Sequence, residues 1–257
     1  MKQKIGIVLS GGGARGIAHL GILKALEEFG IEPSIISGTS AGAIAGAFYA
    51  GGYSLTEIKQ IVEKGDFFNL SSLLIKKQGL FNMSGFEKMY QTYFPNNSFD
   101  DLQIPLYVAV TDILKGETVY FSSGNLSQAL MASSCIPVVF QPLHFDNTYF
   151  VDGGVLNNFP VEPLMNNSDI IIGSHVNSIK TEVTEIHMTN IIDRCFHLAM
   201  SNSVRNKVKS CDLFIEPPNM SRFSLFDVKK SNEIFEYGYN YTLTLEKEIN
   251  NLFEEKT

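Results

Sequence analysis

A G-x-S-x-G pentad, GTSAG at Gly38–Gly42, follows a short apolar run and precedes a stretch of small residues. Between a strand and a helix this pattern forms a strained elbow that lifts one serine hydroxyl, here Ser40, into the open; small neighbours let the backbones approach. A serine hydroxyl is a weak nucleophile and needs a base. FVDGG at Phe150–Gly154 offers Asp152, which closes an apolar run and is followed by two glycines. A carboxylate so placed can be held rigidly where another backbone comes close, and partial burial would raise its pKa and improve it as a proton acceptor. Taken alone, a D-G-G turn is more often only a turn. The five histidines, His19, His144, His175, His187 and His197, have no comparable glycine context and are weaker candidates for the base. Position along the chain does not remove them, because such partners meet in space rather than in sequence.

A second glycine loop, GGGARG at Gly11–Gly16, also lies between an apolar run and a helical pattern. Its plain reading is a tight turn that packs a helix on a sheet. The sharper one is an anion cradle of exposed N–H groups at a helix start. The loop satisfies G-x-G-x-x-G, which raises a dinucleotide site as an alternative, but that site wants an acidic residue at the end of the second strand. Ser37-Gly38-Thr39-Ser40 stands there instead, and no G-K-[S/T] follows, which excludes an NTPase phosphate loop.

These loops need strands and helices to carry them. Lys4–Ser10 is short, apolar and rich in Ile and Val, as a strand buried on both faces should be. Gly16–Phe29 has apolar residues at helical spacing, Ser34–Ser37 is a second strand, and Ala41–Ala50 a second helix. SLTE at Ser54–Glu57 and SGFE at Ser84–Glu87 each read as a capping box opening a helix. Further on, the patterns predict strands at Ile104–Leu114 and Glu117–Ser122 joined by Lys115-Gly116, and a short helix at Asn125–Ser134. A strand pair flanks Asp146-Asn147, and another strand spans Ser168–Val176. Helix at His187–Ser210, strand at Asp212–Glu216 and one closing helix at Asn232–Phe253 complete the reading. Alternating strands and helices predict an α/β fold: a central, mostly parallel sheet flanked by helices, in a single domain over residues 1–257.

Composition narrows the function classes. The hydrophobic fraction of 44% supports a substantial core, and charged residues are only 18%. The net charge of −7 disfavours nucleic-acid binding, which needs a basic face, and gives no global attraction to anionic lipid. Cys135, Cys195 and Cys211 lack metal-ligand spacing and read as reduced, mostly buried thiols of a cytoplasmic protein. Uncharged stretches at Pro33–Thr56 and Thr118–Phe145 are too interrupted by polar residues, Gly and Pro to span a bilayer. The aromatic, leucine-rich segment from Asp66 to about residue 98 reads as core plus a packed cap. A second reading makes part of it a mobile cover over an acyl-chain channel, in transient peripheral contact with a membrane near Lys76-Lys77.

SGGGARG at Ser10–Gly16, GTSAG at Gly38–Gly42 and DGG at Asp152–Gly154 resemble, in order and spacing, the signature blocks of the patatin-like phospholipases. ASSCIPVVFQP at Ala132–Pro142 is similar to a fourth, with Cys135 where a small alanine is common. Ser10, where plant relatives often have Asp, resembles the bacterial branch. The likeness covers about the first 165 residues. It implies a three-layer α/β sandwich and lipid acyl hydrolysis by a Ser–Asp dyad, with no metal or nucleotide cofactor. On this resemblance Ser40 is the nucleophile and Asp152 the base. Gly11, Gly12, Gly13 and Arg15 form the oxyanion loop through backbone N–H groups, and the partner is a phospholipid or other acyl-ester lipid. A catalytically idle lipid-binding module and a dinucleotide-binding protein stand as the alternatives.

Overall fold

Ile5–Leu9 is buried at every position, and its neighbours on both sides are equally buried, so this strand sits inside a sheet covered on both faces. The computed structural model describes residues 3–63, 83–178, 198, 204–225 and 227–255. In chain order its first half comprises β1 (Ile5–Leu9), α1 (Ile17–Glu28), β2 (Ile35–Thr39), α2 (Ala41–Ala50), α3 (Leu55–Glu63) and α4 (Ser84–Tyr93). Then come β3 (Leu106–Asp112), β4 (Glu117–Phe121), α5 (Leu126–Ser133), β5 (Leu143–Phe145) and β6 (Thr148–Asp152). β7 (Ile170–Ser174), β8 (Leu213–Ile215), α6 (Ser231–Leu243) and α7 (Glu246–Glu255) follow. The strands form one mixed sheet in the order β5-β6-β3-β2-β1-β7-β8, with β4 also on β3. β8, β7, β1, β2 and β3 are parallel; β4, β6 and β5 join antiparallel.

Side chains alternate across the sheet and build two cores. Ile7, Leu9, Ile36, Ile170 and Ile172 enter the larger core with the helices, while Val8, Ile35 and Ile171 face a smaller one with Phe159, Val161 and Leu164. The chain beyond the recognisable motifs is part of this packing. A Cβ at Gly21 of α1 would lie 2.1 Å from the Phe235 carbonyl oxygen, and one at Gly238 of α6 would lie 2.4 Å from that of Ala18. The two helices therefore touch backbone to backbone.

The register of β3 creates the site. β2 pairs with Leu106–Ala109 and β4 with Val108–Asp112, while β6 pairs with Val110–Asp112. A strand has two edges, and β4 fills one of them along Val108–Asp112. β2 and β6 must therefore share the other edge, meeting where Ala109 gives way to Val110. β2 runs parallel to β3 and β6 antiparallel, so their C-terminal ends face each other. Thr39 pairs with Ala109 and Asp152 with Val110.

Most of the predicted elements stand at their places, and the differences have local causes. The SLTE box is formed, with Ser54 N–H donating to Glu57 at 2.9 Å and Glu57 N–H to Ser54 Oγ at 3.3 Å. In SGFE the N-cap position falls one residue earlier, on Met83, and the helix runs from Ser84. The closing helix is two helices, because near Thr244 the backbone switches to three-residue turns and its hydroxyl bonds the Tyr241 carbonyl at 2.6 Å. Asp146 and Asn147 both have positive φ, the geometry of a tight hairpin turn. Of the proposed cap, residues 64–82, with Lys76-Lys77, lie outside the described residues. In the described remainder, Phe86, Tyr90 and Phe94 are buried in the larger core. Most of the predicted helix at His187–Ser210 also lies outside the described residues.

Candidate active site

Ser40 has φ 52° and ψ −122°, a backbone conformation that L residues rarely adopt. Strain of this kind costs on the order of 1–3 kcal/mol and persists only where the surroundings over-determine it. Here they do. Ser40 N–H donates to Ser133 Oγ at 2.8 Å, and the Ser133 hydroxyl donates onward to the Ala109 carbonyl at 2.7 Å. On the other side Gly42 lies against β1, where an added Cβ would be 2.3 Å from the Leu9 carbonyl oxygen. The elbow is wedged between the ends of two strands.

Asp152 is 4% exposed, and its Oδ1 accepts the Gly154 N–H at 2.7 Å. Its own N–H donates to the Cys135 carbonyl at 2.9 Å, and its carbonyl accepts the Thr111 hydroxyl at 3.1 Å. Burial pushes the carboxyl up to about 6, against the opposing effect of hydrogen bonds from Gly154 N–H and the Ser40 side chain. The serine hydroxyl and the carboxylate are thus brought together at the strand junction. One segment clamps both: α5 and the turn after it supply Ser133 to the Ser40 backbone and Cys135 to the Asp152 backbone. Neither was legible as a site residue, because the sequence marks that block only by its small residues and prolines. The Cys135 thiol is buried, and that burial, with Asp152 nearby, pushes it up to about 12; it is no nucleophile at neutral pH.

The glycine loop lies beside the elbow. Gly11 N–H donates to the Asn158 carbonyl at 3.2 Å, and Arg15 N–H to the Gly12 carbonyl at 3.1 Å, so both donors are engaged. Among the described residues nothing accepts the N–H of Gly12 or of Gly13. Gly13 needs its glycine: φ is 55°, and a Cβ would lie 2.5 Å from the Leu225 carbonyl oxygen. The Arg15 side chain is buried rather than solvated. Its Nε donates to the Phe223 carbonyl at 2.8 Å and its Nη1 to Asn177 Oδ1 at 3.3 Å, while Asn177 Nδ2 donates to the Gly11 carbonyl. Arg15 therefore ties the loop to the C-terminal part of the chain.

Asn158 was missed. It is fully buried beside Gly11, both ends of its amide are without a hydrogen-bond partner among the described residues, and a Cβ at Gly11 would fall 2.4 Å from its Oδ1 and 3.3 Å from the Ser40 Cβ. Only its place just after DGG in the sequence hinted at a role.

The histidines are occupied elsewhere. His19 is buried, and its Nε2–H donates to the Ser10 carbonyl at 2.8 Å; this fixes the tautomer, so Nδ1 accepts the Ser174 hydroxyl at 2.7 Å. Burial lowers it to about 4, so it is neutral at physiological pH. His175 pairs with Glu216 at 2.7 Å, and His144 packs tilted against the Tyr149 ring. His187 and His197 lie outside the described residues. No described histidine bonds Ser40 or Asp152.

A mostly parallel sheet with a serine elbow after its second strand, a glycine loop after its first and an aspartate at a reversed strand end is an α/β scaffold that brings a serine and a carboxylate together. Comparison with known proteins makes the class specific. The family model for patatin-like phospholipase matches residues 7–165, and the chain belongs to that family. An uncharacterized NTE family protein of Mycobacterium tuberculosis is 30% identical over 171 residues, covering 65% of this chain and 29% of the relative. Patatin-like phospholipase domain-containing protein 7 of Mus musculus is 29% identical over 94% of this chain and 20% of its own length. Lysophospholipase NTE1 of Kluyveromyces lactis is 29% identical over 93% of this chain and 19% of its own. The chain thus spans less than a third of these relatives. Among solved structures, VipD from Legionella pneumophila shares the fold, with a TM-score of 0.54 at 17% identity over 95% of this chain and 67% of VipD. No helix among the described residues is long and apolar enough to cross a membrane.

Proposed function

We propose that this chain is a serine lipid acyl hydrolase working through a Ser40–Asp152 dyad. The observation that carries the reading is a buried carboxylate, held up near pH 6 by its surroundings, hydrogen-bonded to a serine on a strained elbow. At neutral pH Asp152 is ionised yet more basic than an ordinary aspartate, which suits it to accept the Ser40 proton.

The Ser40 oxygen attacks the ester carbonyl carbon as its proton passes to Asp152. The carbonyl becomes an oxyanion, which the free N–H groups of Gly12 and Gly13 stabilise; losing one such donor costs roughly 3–4 kcal/mol of barrier in comparable sites. Gly11 and Arg15, whose backbone donors are already used, fix the shape of this loop. Asp152 returns the proton to the leaving alcohol as the C–O bond breaks. Water then attacks the acyl-enzyme, giving its proton to Asp152 and then to Ser40, and the carboxylic acid departs.

The substrate is a phospholipid or a lysophospholipid, met in transient contact with a membrane surface; the family and the name of the yeast relative support this choice. Hydrolysis of p-nitrophenyl butyrate, followed by a panel of phospholipids, lysophospholipids and glycerides, tests it. Ser40→Ala and Asp152→Asn should each lower kcat/KM by at least about 10³, whereas His144→Ala should match the parent. Turnover retained within tenfold by either dyad variant would overturn the assignment.

A further inference from the structure

Three backbone groups of Asn157 and Asn158 join the three parts of the site. The Asn157 N–H donates at 2.8 Å to the carbonyl of Gly153, the residue after Asp152. The Asn157 carbonyl accepts at 2.9 Å the hydroxyl of Thr39, the residue before Ser40. The Asn158 carbonyl accepts the Gly11 N–H at 3.2 Å. The turn after the base, the elbow and the glycine loop thus meet on one short segment, and its orientation sets how they stand to one another.

The Asn157 side chain, itself buried, holds that segment. A carboxamide can make four hydrogen bonds, and this one makes all four. Its Nδ2 donates to the Tyr120 hydroxyl at 2.9 Å and to Glu162 at 3.0 Å. Its Oδ1 accepts the Phe159 N–H at 3.2 Å and the Lys207 ammonium at 2.6 Å. Lys207 directs its other donors to the same place, to Glu162 at 2.5 Å and to the Phe159 carbonyl at 3.4 Å. It comes from a part of the chain beyond residues 7–165, which match the family model.

We infer that Lys207 is a positioning residue of the hydrolytic site: its ammonium fixes the Asn157 carboxamide, and through it the carbonyls to which Thr39 and Gly11 are pinned. The inference rests on the Ser40–Asp152 reading. As a plain ion pair with Glu162 it would add little, because the Glu162 side chain is 41% exposed and water can serve it. What the ammonium supplies is a charged donor to Oδ1, which holds harder than a neutral one. Without it that end of the carboxamide keeps only the Phe159 N–H, and the peptide groups of 157 and 158 lose their fixed orientation. The elbow and the glycine loop then drift relative to Asp152, and a misplacement of about 1 Å is enough to slow such a site on the order of 10²-fold.

Kinetics on p-nitrophenyl butyrate and thermal unfolding of the full chain, for the parent, Lys207→Met, Lys207→Arg and Tyr120→Phe, test this. Lys207→Met keeps the aliphatic stem and loses the ammonium. Its kcat should fall on the order of 10²-fold, with KM within about threefold of the parent's. Lys207→Arg returns a cationic donor to Asn157 and Glu162 and should bring kcat back to within about tenfold of the parent. An ion pair that served stability alone would lower the unfolding temperature of Lys207→Met and leave kcat of the folded protein unchanged. Tyr120→Phe removes one acceptor of Asn157 Nδ2 from a half-buried ring and should lower kcat about fivefold; it decides the matter if Lys207→Met does not fold. Parental kcat in folded Lys207→Met, or in Tyr120→Phe where the methionine variant does not fold, overturns the inference and leaves the hydrolase reading standing. So does an arginine variant as slow as the methionine one. A parent that neither turns over the ester nor takes a fluorophosphonate on Ser40 removes the hydrolase reading, and this inference with it.

Discussion

Ser133 holds Ser40 through the backbone: its hydroxyl accepts the Ser40 N–H at 2.8 Å and donates to the Ala109 carbonyl at 2.7 Å. The same Ala109 is the β3 residue opposite Thr39, one position before the residue opposite Asp152. One buried hydroxyl therefore fixes the strained elbow to the strand that sets its distance from Asp152.

Ser133→Ala removes that hydroxyl and leaves a buried N–H and a buried carbonyl without this partner. Stability should fall by about 1–3 kcal/mol. Because the elbow loses its anchor, kcat should fall more than KM changes, on the order of 10²-fold for a displacement of about 1 Å. Urea unfolding and ester kinetics on the same preparation check both.

Asp152 gives a pH dependence of stability opposite to that of most carboxylates. The folded protein holds this proton more tightly than the unfolded chain does, so ionising the group costs the fold. The cost is absent below the unfolded value of 3.8, grows as pH rises to about 6, and is complete above it. Asp152→Asn carries no charge and should be inactive yet more stable than the parent at pH 8, by at most about 3 kcal/mol. The gap should close at pH 4. Unfolding midpoints of the two proteins at both pH values measure it.

His19 acts in the other direction. Its folded value of about 4 lies below the ordinary 6.5, so its contribution is fully present above pH 6.5 and is lost as pH falls toward 4. The full loss is about 3 kcal/mol. His19→Gln keeps a donor for the Ser10 carbonyl and an acceptor for Ser174. Its stability should depend less steeply on pH between 6.5 and 4.5 than the parent's, with ester hydrolysis at pH 8 within tenfold of the parent.

Gly11→Ala tests the packing of the glycine loop. The new methyl would sit 2.4 Å from Asn158 Oδ1, inside a fully buried contact, so the loop must shift. An overpacked site of this kind loses about 1–3 kcal/mol of stability. If Gly12 and Gly13 serve as the proposed oxyanion donors, hydrolysis should fall on the order of 10²-fold as their N–H groups move relative to Ser40.

The sequence shows the strands and the two glycine loops, because each rests on local chemistry, an apolar run ended by glycines, and it suggests the Ser40–Asp152 pair only through the family resemblance. It could not show how the pair meets. That depends on β2 and β6 sharing one edge of β3, a tertiary register with no local signature. The place of the Arg15 side chain was illegible for the same reason, since the Phe223 carbonyl that it meets lies 208 residues away. Ser133, Cys135 and Asn158 act through backbone or buried contacts that residue type does not announce. The helix break at Thr244 is local but weak, a side-chain bond competing with an otherwise helical pattern.

The central claim is that an aspartate, and no histidine, activates Ser40. Labelling with a fluorophosphonate between pH 4 and pH 9, with the modified residue located by mass spectrometry, tests it most directly. The label should fall on Ser40 and its rate should rise through a single titration near pH 6; Asp152→Asn should label at least about 10²-fold more slowly, while His144→Ala and His175→Gln follow the parent. Labelling at another residue, or a rate unchanged in Asp152→Asn, would contradict the account.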